Sequence, residues 1–293
     1  MLSGPTHKFF QSPDIRISYY EWGNPSDQTV LLVHATGMHA RCWDKTIAAL
    51  KGAYHIIAVD QRGHGLSDKP GPIYDWSLPA EDISALVLGL DLNHVIAVGH
   101  SMGGHCLTQV VHRNPDRFDR LILVDPVIFD PDFYRDAPAL ETLDATDHPI
   151  ARRRNEWQDW QQMFDAFKNR HPYDKWRPEV LEDYCKYGLL PIAGSDRFEL
   201  ACPPFIEASV YTGHRTVNVN TLVRDISLPV LVLRAQSRKE EENGKMDFAV
   251  SPTCPALASR FPNATDIHLS EMTHFIPMED PERMAAYIDG LEG

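Results

Sequence analysis

The sequence predicts an α/β fold built on a mostly parallel sheet, and three observations carry that expectation. Short runs of four or five mostly apolar residues, often β-branched, recur at 29–33, 55–59, 94–98, 121–124 and 229–233. A strand covered on both faces of a parallel sheet has this pattern. Helical stretches separate the early runs, which favours α/β alternation over segregated elements. The alternation stops after Val124 and resumes near Pro229, as it would if a segment had been inserted into one α/β core.

Taken in order, the stretch at 15–22 alternates polar and apolar residues more than the later runs, and so predicts an antiparallel edge hairpin. Residues 79–92 predict a helix, with Pro79 near its start, where a missing N–H costs little. Ile83, Leu86, Val87 and Leu90 follow with helical spacing. Residues 104–112 predict a second helix, 265–269 a last strand and 281–291 a closing helix. Between 130 and 222 there are helical patches at 156–168 and 178–187 but no buried-strand run. This third of the chain holds 13 of the 28 aromatic residues, and Pro131, Pro138 and Pro149 punctuate its entrance. The expected organisation is therefore a core of residues 1–129 and 223–293 with a helical cap at 130–222. Trp157, Trp160 and Phe164 of the cap are candidates to line a substrate pocket, although their helical spacing suits core contacts as well.

Composition narrows the function classes. A chain of 293 residues can bury a sizeable core without staples. Its 28 Lys and Arg against 41 Asp and Glu give a net charge of −13, which disfavours nucleic acid and anionic membrane as partners. The five cysteines are odd in number and widely spaced, with no Cys-x-x-Cys pair. That usage fits reduced thiols better than a disulfide framework or a zinc site. His112, His148, His171 and His214 are scattered, and the glycines at 99–104 enclose a serine rather than a dinucleotide fingerprint. No apolar leader stands at 1–11, and no apolar run approaches the roughly 18 residues of a span. The expectation is a cytoplasmic monomer or homodimer with no metal, no cofactor and no nucleic-acid or membrane partner. Glu240 to Glu242 reads as a solvated acidic loop.

The chemistry concentrates at Gly99-His100-Ser101-Met102-Gly103, which follows the run at 94–98 and precedes the helix at 104–112. A Gly-x-Ser-x-Gly in a strand–turn–helix context lifts the serine Oγ clear of the backbone and aims helix N–H groups at it. Near the other end, Thr273-His274-Phe275 follows the last predicted strand and precedes the closing helix.

With Leu32-Val33-His34-Ala35-Thr36-Gly37 and Asp60-Gln61-Arg62-Gly63-His64-Gly65-Leu66-Ser67, these segments make the chain resemble the capped α/β-hydrolases over nearly its whole length. The resemblance implies an eight-stranded, mostly parallel sheet flanked by helices, with Ser101 as nucleophile and His274 as general base. Serine at the nucleophile position disfavours the dehalogenases and epoxide hydrolases of the family, which carry Asp there. The oxyanion donors implied are the N–H of Met102 and the loop residue Thr36. Ala35 stands where the family commonly has Gly, and His34 reads as a structural loop histidine. The orienting acid is less clear. The family usually places it three or four residues beyond the strand at 229–233, where this chain has Ser237 and Arg238. An insertion over 238–245 would make Asp247 the acid, which is the preferred reading. The rival is Asp125, a position some relatives use, but an Asp-Pro pair also commonly starts a turn. The activity implied is hydrolysis of a small hydrophobic ester or lactone. Alternatives are C–C bond hydrolysis or cofactor-free perhydrolysis (haloperoxidase activity) on the same fold, or a ligand receptor on a hydrolase scaffold.

Overall fold

Thr6–Gln11 (β1) and Arg16–Trp22 (β2) pair as an antiparallel hairpin, with Thr6 opposite Glu21 and Gln11 opposite Arg16. They begin the computed structural model, which describes residues 4–238 and 247–291. The acidic residues 240–242 and most of the insertion expected before Asp247 lie outside the described residues. Gln28–Val33 (β3), Asp44–Ala49 (α1), Tyr54–Val59 (β4), Ser77–Gly89 (α2), Val95–His100 (β5), Met102–Arg113 (α3) and Phe118–Val124 (β6) then alternate. After a long intervening segment, Val230 to Arg234 and Ala264 to His268 complete an eight-stranded sheet. Every pairing beyond the first two strands' is parallel, with β2 antiparallel to both of its neighbours.

The period-two geometry of a strand explains why the apolar runs are continuous. Leu31, Val33, Ile57, Val59, Ala97 and Leu123 face one side, against α2 and α3. Val30, Leu32, Ile56, Ala58, Val98 and Ile122 face the other, against α1 and the C-terminal helix. Both faces of the central strands are buried, so neither could alternate with polar residues.

The segment between β6 and the penultimate strand differs in one respect from a purely helical insertion. It holds 3-10 turns and the helices Trp160–Phe167 (α4), Pro178–Tyr187 (α5) and Pro204–Gly213 (α6). It also contains a small antiparallel sheet formed by Glu156–Trp157 (β7), Leu189–Pro191 (β8) and Phe198–Leu200 (β9). Strands of two or three residues are too short for sequence periodicity to register. Trp157, Met163, Phe167, Trp176 and Tyr184 form a buried cluster with Ala35 and Met38 of the loop after β3 and with Met278. That contact sets the segment over the carboxyl end of the sheet. The chain returns through Val230–Arg234 (β10), Ala264–His268 (β11), Ile276–Glu279 (α7) and Pro281–Asp289 (α8).

The approach of α3 to the strands positions the site. A Cβ on Gly103 would stand 2.3 Å from the Val33 carbonyl oxygen and 2.7 Å from that of His34. A Cβ on Gly99 would stand 2.6 Å from the backbone of Gly103 and Gly104. Both contacts are with backbone, which cannot move aside as a flexible side chain could. Gly103→Ala should therefore lower the unfolding free energy by about 1–3 kcal/mol, read from the urea midpoint. An unchanged midpoint would contradict this account of the crossing.

Candidate active site

Ser101 occupies the single residue between β5 and α3, with φ +57° and ψ −117°. A non-glycine residue in this region costs of order 1–3 kcal/mol and persists only when its surroundings enforce it. Here they do. The Ser101 N–H donates to Val124 O at 3.0 Å, and its carbonyl accepts from Gly104 N at 3.1 Å and His105 N at 3.2 Å. α3 also buries Cys106, Leu107, Val110 and Val111 in the core. At about 1.5–3 kcal/mol for each fully buried large aliphatic side chain, that burial outweighs the strain at Ser101.

Ser101 Oγ lies 2.9 Å from His274 Nε2, and His274 Nδ1 lies 2.6 Å from Asp125 Oδ2. With the carboxylate accepting at Nδ1, the proton belongs on that nitrogen, and Nε2 is left to accept from the serine hydroxyl. Asp125 directly follows β6 with φ +43°, and its N–H donates to Leu233 O at 2.7 Å. Its second oxygen, Oδ1, accepts from Ala235 N at 3.0 Å, Ser251 Oγ at 2.5 Å and Thr253 Oγ1 at 3.2 Å. The side chain is fully buried, so these donors and the imidazole replace the water it has lost. His274 is anchored through its backbone: its N–H donates to Ala249 O at 2.8 Å, and its carbonyl bonds His100 Nε2 at 2.8 Å.

The preferred sequence assignment of the acid is corrected here. Asp247 does not contact His274. Its carboxylate accepts from Ala249 N at 2.8 Å and stands in the wall of the cavity over Ser101. The reason is topological: β6 pairs with β10 in parallel, Val124 opposite Leu233, so the residue after β6 already reaches the imidazole. An Asp-Pro pair there both turns the chain and presents a carboxylate. Ser251 and Thr253, which hold that carboxylate, carried no signal in the sequence, because nothing in a Ser-x-Thr spacing marks a partner more than 120 residues away.

Two buried histidines shape the loop facing the serine. His34 Nε2 accepts from Gln61 N at 3.0 Å, while its Nδ1 bonds Ala35 O at 2.7 Å. His64 Nε2 accepts from Gly37 N at 3.0 Å, and its Nδ1 bonds Arg62 O at 2.9 Å. Each ring donates through Nδ1 and accepts through Nε2, which requires the neutral form. These bonds bracket Ala35 and Thr36, which line the cavity with Ser101 and His274. Among the described residues no carbonyl takes the Thr36 N–H. Met102, the first residue of α3, has no acceptor within its own helix for its N–H.

The cavity over Ser101 is about 620 Å³ and includes Trp76, Val127, Phe129, Tyr211 and Phe248 in its wall. The aromatic candidates named from sequence do not line it. Trp157 lines an adjoining cavity, and Trp160 and Phe164 pack against the buried aromatic cluster. The helical spacing of Trp160 and Phe164 reflects packing, the reading left open beside the pocket one. Among the described residues no group of three His, Cys, Asp or Glu is placed to hold a metal ion, and no helix is long and apolar enough to cross a membrane.

Residues 30–287 match the alpha/beta hydrolase family. The chain belongs to that family and is an enzyme of the α/β-hydrolase superfamily. Among curated relatives it is 29% identical over 263 residues to a 2-(acetamidomethylene)succinate hydrolase of Mesorhizobium japonicum, covering 88% of this chain and 85% of that one. It is 34% identical over 148 residues to a non-heme chloroperoxidase of Streptomyces lividans, a match spanning 49% of this chain and about half, 54%, of the relative. The crystal structure of an E-2-(acetamidomethylene)succinate hydrolase superposes with a TM-score of 0.77 at 22% identity, covering 98% of both chains.

Burial lowers the pKa of His34 and of His64 to about 3 and that of His105 to about 4. The ordinary value is 6.5, and it applies in the unfolded chain. As pH falls below 6.5 the unfolded chain takes up protons that the native state refuses, so stability present above that pH is progressively lost toward pH 3. The urea midpoint should therefore be lower at about pH 5 than at about pH 7. A midpoint unchanged or higher at the lower pH would contradict the neutral assignment.

Proposed function

We propose that the protein hydrolyses a carboxylic ester or lactone through an acyl-enzyme on Ser101. The observation that carries this reading is the continuous chain from Ser101 Oγ through His274 to Asp125 Oδ2, at 2.9 and 2.6 Å. Ser101 Oγ attacks the acyl carbon as its proton passes to His274 Nε2. Asp125 holds the tautomer and stabilises the imidazolium. The N–H groups of Met102 and Thr36 take the developing oxyanion, the former with the positive end of α3 behind it. His274 then returns the proton to the leaving alkoxide. Water, deprotonated by the same nitrogen, attacks the ester and releases the acid and free Ser101. The largely apolar cavity wall suits a small hydrophobic acyl group.

One observation favours a second leaving group. The relative matched over most of its length is a hydrolase of 2-(acetamidomethylene)succinate, whose substrate carries an acetamido group. The same residues would cleave an amide if His274 protonated the departing nitrogen.

With 4-nitrophenyl butyrate as substrate, Ser101→Ala should lower kcat by about four to six orders of magnitude. Asp125→Asn should cost about 10³- to 10⁴-fold, through loss of the imidazole tautomer. Asp247→Asn should stay within about tenfold of the parent, below what loss of a triad acid costs. Steady-state rates decide. Full activity in Ser101→Ala, or a greater loss in Asp247→Asn than in Asp125→Asn, would overturn the assignment.

A further inference from the structure

A second cavity of about 630 Å³ adjoins the one over Ser101, and Thr36, Tyr211, Phe248 and Phe275 line both. Its wall differs in kind. Arg152, Arg153, Arg154 and Arg170 line it, and Glu207 is the one carboxylate among the described residues there. The chain as a whole has 41 acidic and 28 basic residues, so a wall with four guanidinium groups and one carboxylate reverses its charge balance locally.

The four arginines are not equivalent. Arg153 Nη1 lies 2.6 Å from Glu207 Oε2, and its Nη2 donates to the Tyr184 hydroxyl at 3.4 Å. Glu207 is buried and Arg153 half-buried, and each charge neutralises the other. The Glu207 carboxyl also packs against Gly37, where an added Cβ would meet its Oε1 at 2.6 Å. The pair therefore braces the loop beside Ser101. Arg154 lies over the Trp157 ring, 3.9 Å from its centroid, and donates to Glu156 O and Gln162 Oε1. Those acceptors are neutral, so its charge is uncancelled while its donors are in use. Arg152 and Arg170 make no side-chain hydrogen bond or ion pair with any described residue. Two guanidinium groups with open donors therefore stand in the wall of a cavity that shares four lining residues with the one over Ser101.

We propose that this second cavity is the anion-recognising part of the substrate site. The substrate places its reacting acyl group at Ser101, extends past Tyr211 and Phe275, and sets a carboxylate against Arg152 and Arg170. A planar carboxylate offers two oxygens to the guanidinium fork, and the bonds formed are charge-assisted. The uncancelled charge of Arg154 adds to the field without competing for the ligand. The inference rests on the serine-hydrolase reading of Ser101 and narrows its substrate class. The substrate is apolar at the scissile end and anionic at the far end.

The test compares the mono-4-nitrophenyl ester of adipic acid with 4-nitrophenyl hexanoate, its neutral counterpart, on the full-length protein. The half-ester should be preferred in kcat/KM by about tenfold or more, the worth of about one charge-assisted hydrogen bond. Most of the preference should lie in KM. In Arg152→Ala and Arg170→Ala the ratio of the two kcat/KM values should fall about tenfold. Preference for the neutral ester, or equal losses on both esters that leave the ratio unchanged, would overturn the proposal. A second arm needs no turnover. Calorimetric binding of adipate to Ser101→Ala should weaken when Arg152→Ala is added, and equal affinity with and without Arg152 would overturn the anion site. Undiminished ester turnover in Ser101→Ala would sink the nucleophile reading instead, and the calorimetric arm would still decide the anion site.

Discussion

The close crossing of α3 over the ends of β3 and β5 is the constraint on which the rest of the site depends. Gly103 meets the Val33 and His34 carbonyls, and Gly99 meets the first turn of the helix. No side chain fits at either place. That proximity is what allows one residue, Ser101, to turn the chain from strand to helix at φ +57°. It also brings the N-terminus of the helix beside the loop that follows β3. Apolar burial by α3 holds the turn closed against its own strain, and Ser101 and the N–H groups around it are fixed together. Relaxing the crossing would loosen both.

A second set of forces acts at the other side of the serine. Asp125 is fully buried, yet every acceptor site that matters is occupied by Ala235, Ser251, Thr253 or His274. A carboxylate held by so many donors has little freedom to rotate away from the imidazole. His34 and His64, by contrast, are kept neutral by burial and serve as rigid two-ended hydrogen-bonding spacers. These three buried imidazoles are thus used in two ways. His274 faces a carboxylate and a hydroxyl, whereas His34 and His64 face backbone groups. The difference comes from what the surrounding strands and loops present.

Much of this was legible in the sequence. The parallel core was visible because both faces of β3, β4, β5 and β6 are covered, which forces unbroken apolar runs. Ser101 and His274 were visible because each stands in a short motif with a strand before it. The carboxylate that meets His274 was not, because it depends on which strands are neighbours. Asp247 and Asp125 were both open in the sequence, and only the pairing of β6 with β10 places Asp125 against the imidazole. Of the pocket aromatics, Trp160 and Phe164 were misplaced for a related reason. Helical spacing says that Trp160 and Phe164 share a face, but the spacing does not say whether that face meets a cavity or the cluster around Met163 and Trp176. Three of the arginines around the second cavity are consecutive, 152–154, and only the folded segment brings Arg170 to them.

Ser101, as the group at the end of the chain through His274 to Asp125, is the one expected to become covalently modified. Reacting the protein with a fluorophosphonate, then measuring its intact mass and mapping the adduct by proteolysis, asks this directly. The geometry predicts one adduct per chain, on the peptide that contains Ser101, with none formed in Ser101→Ala. Labelling that persists in that variant, or an adduct mapped to another residue, would contradict it.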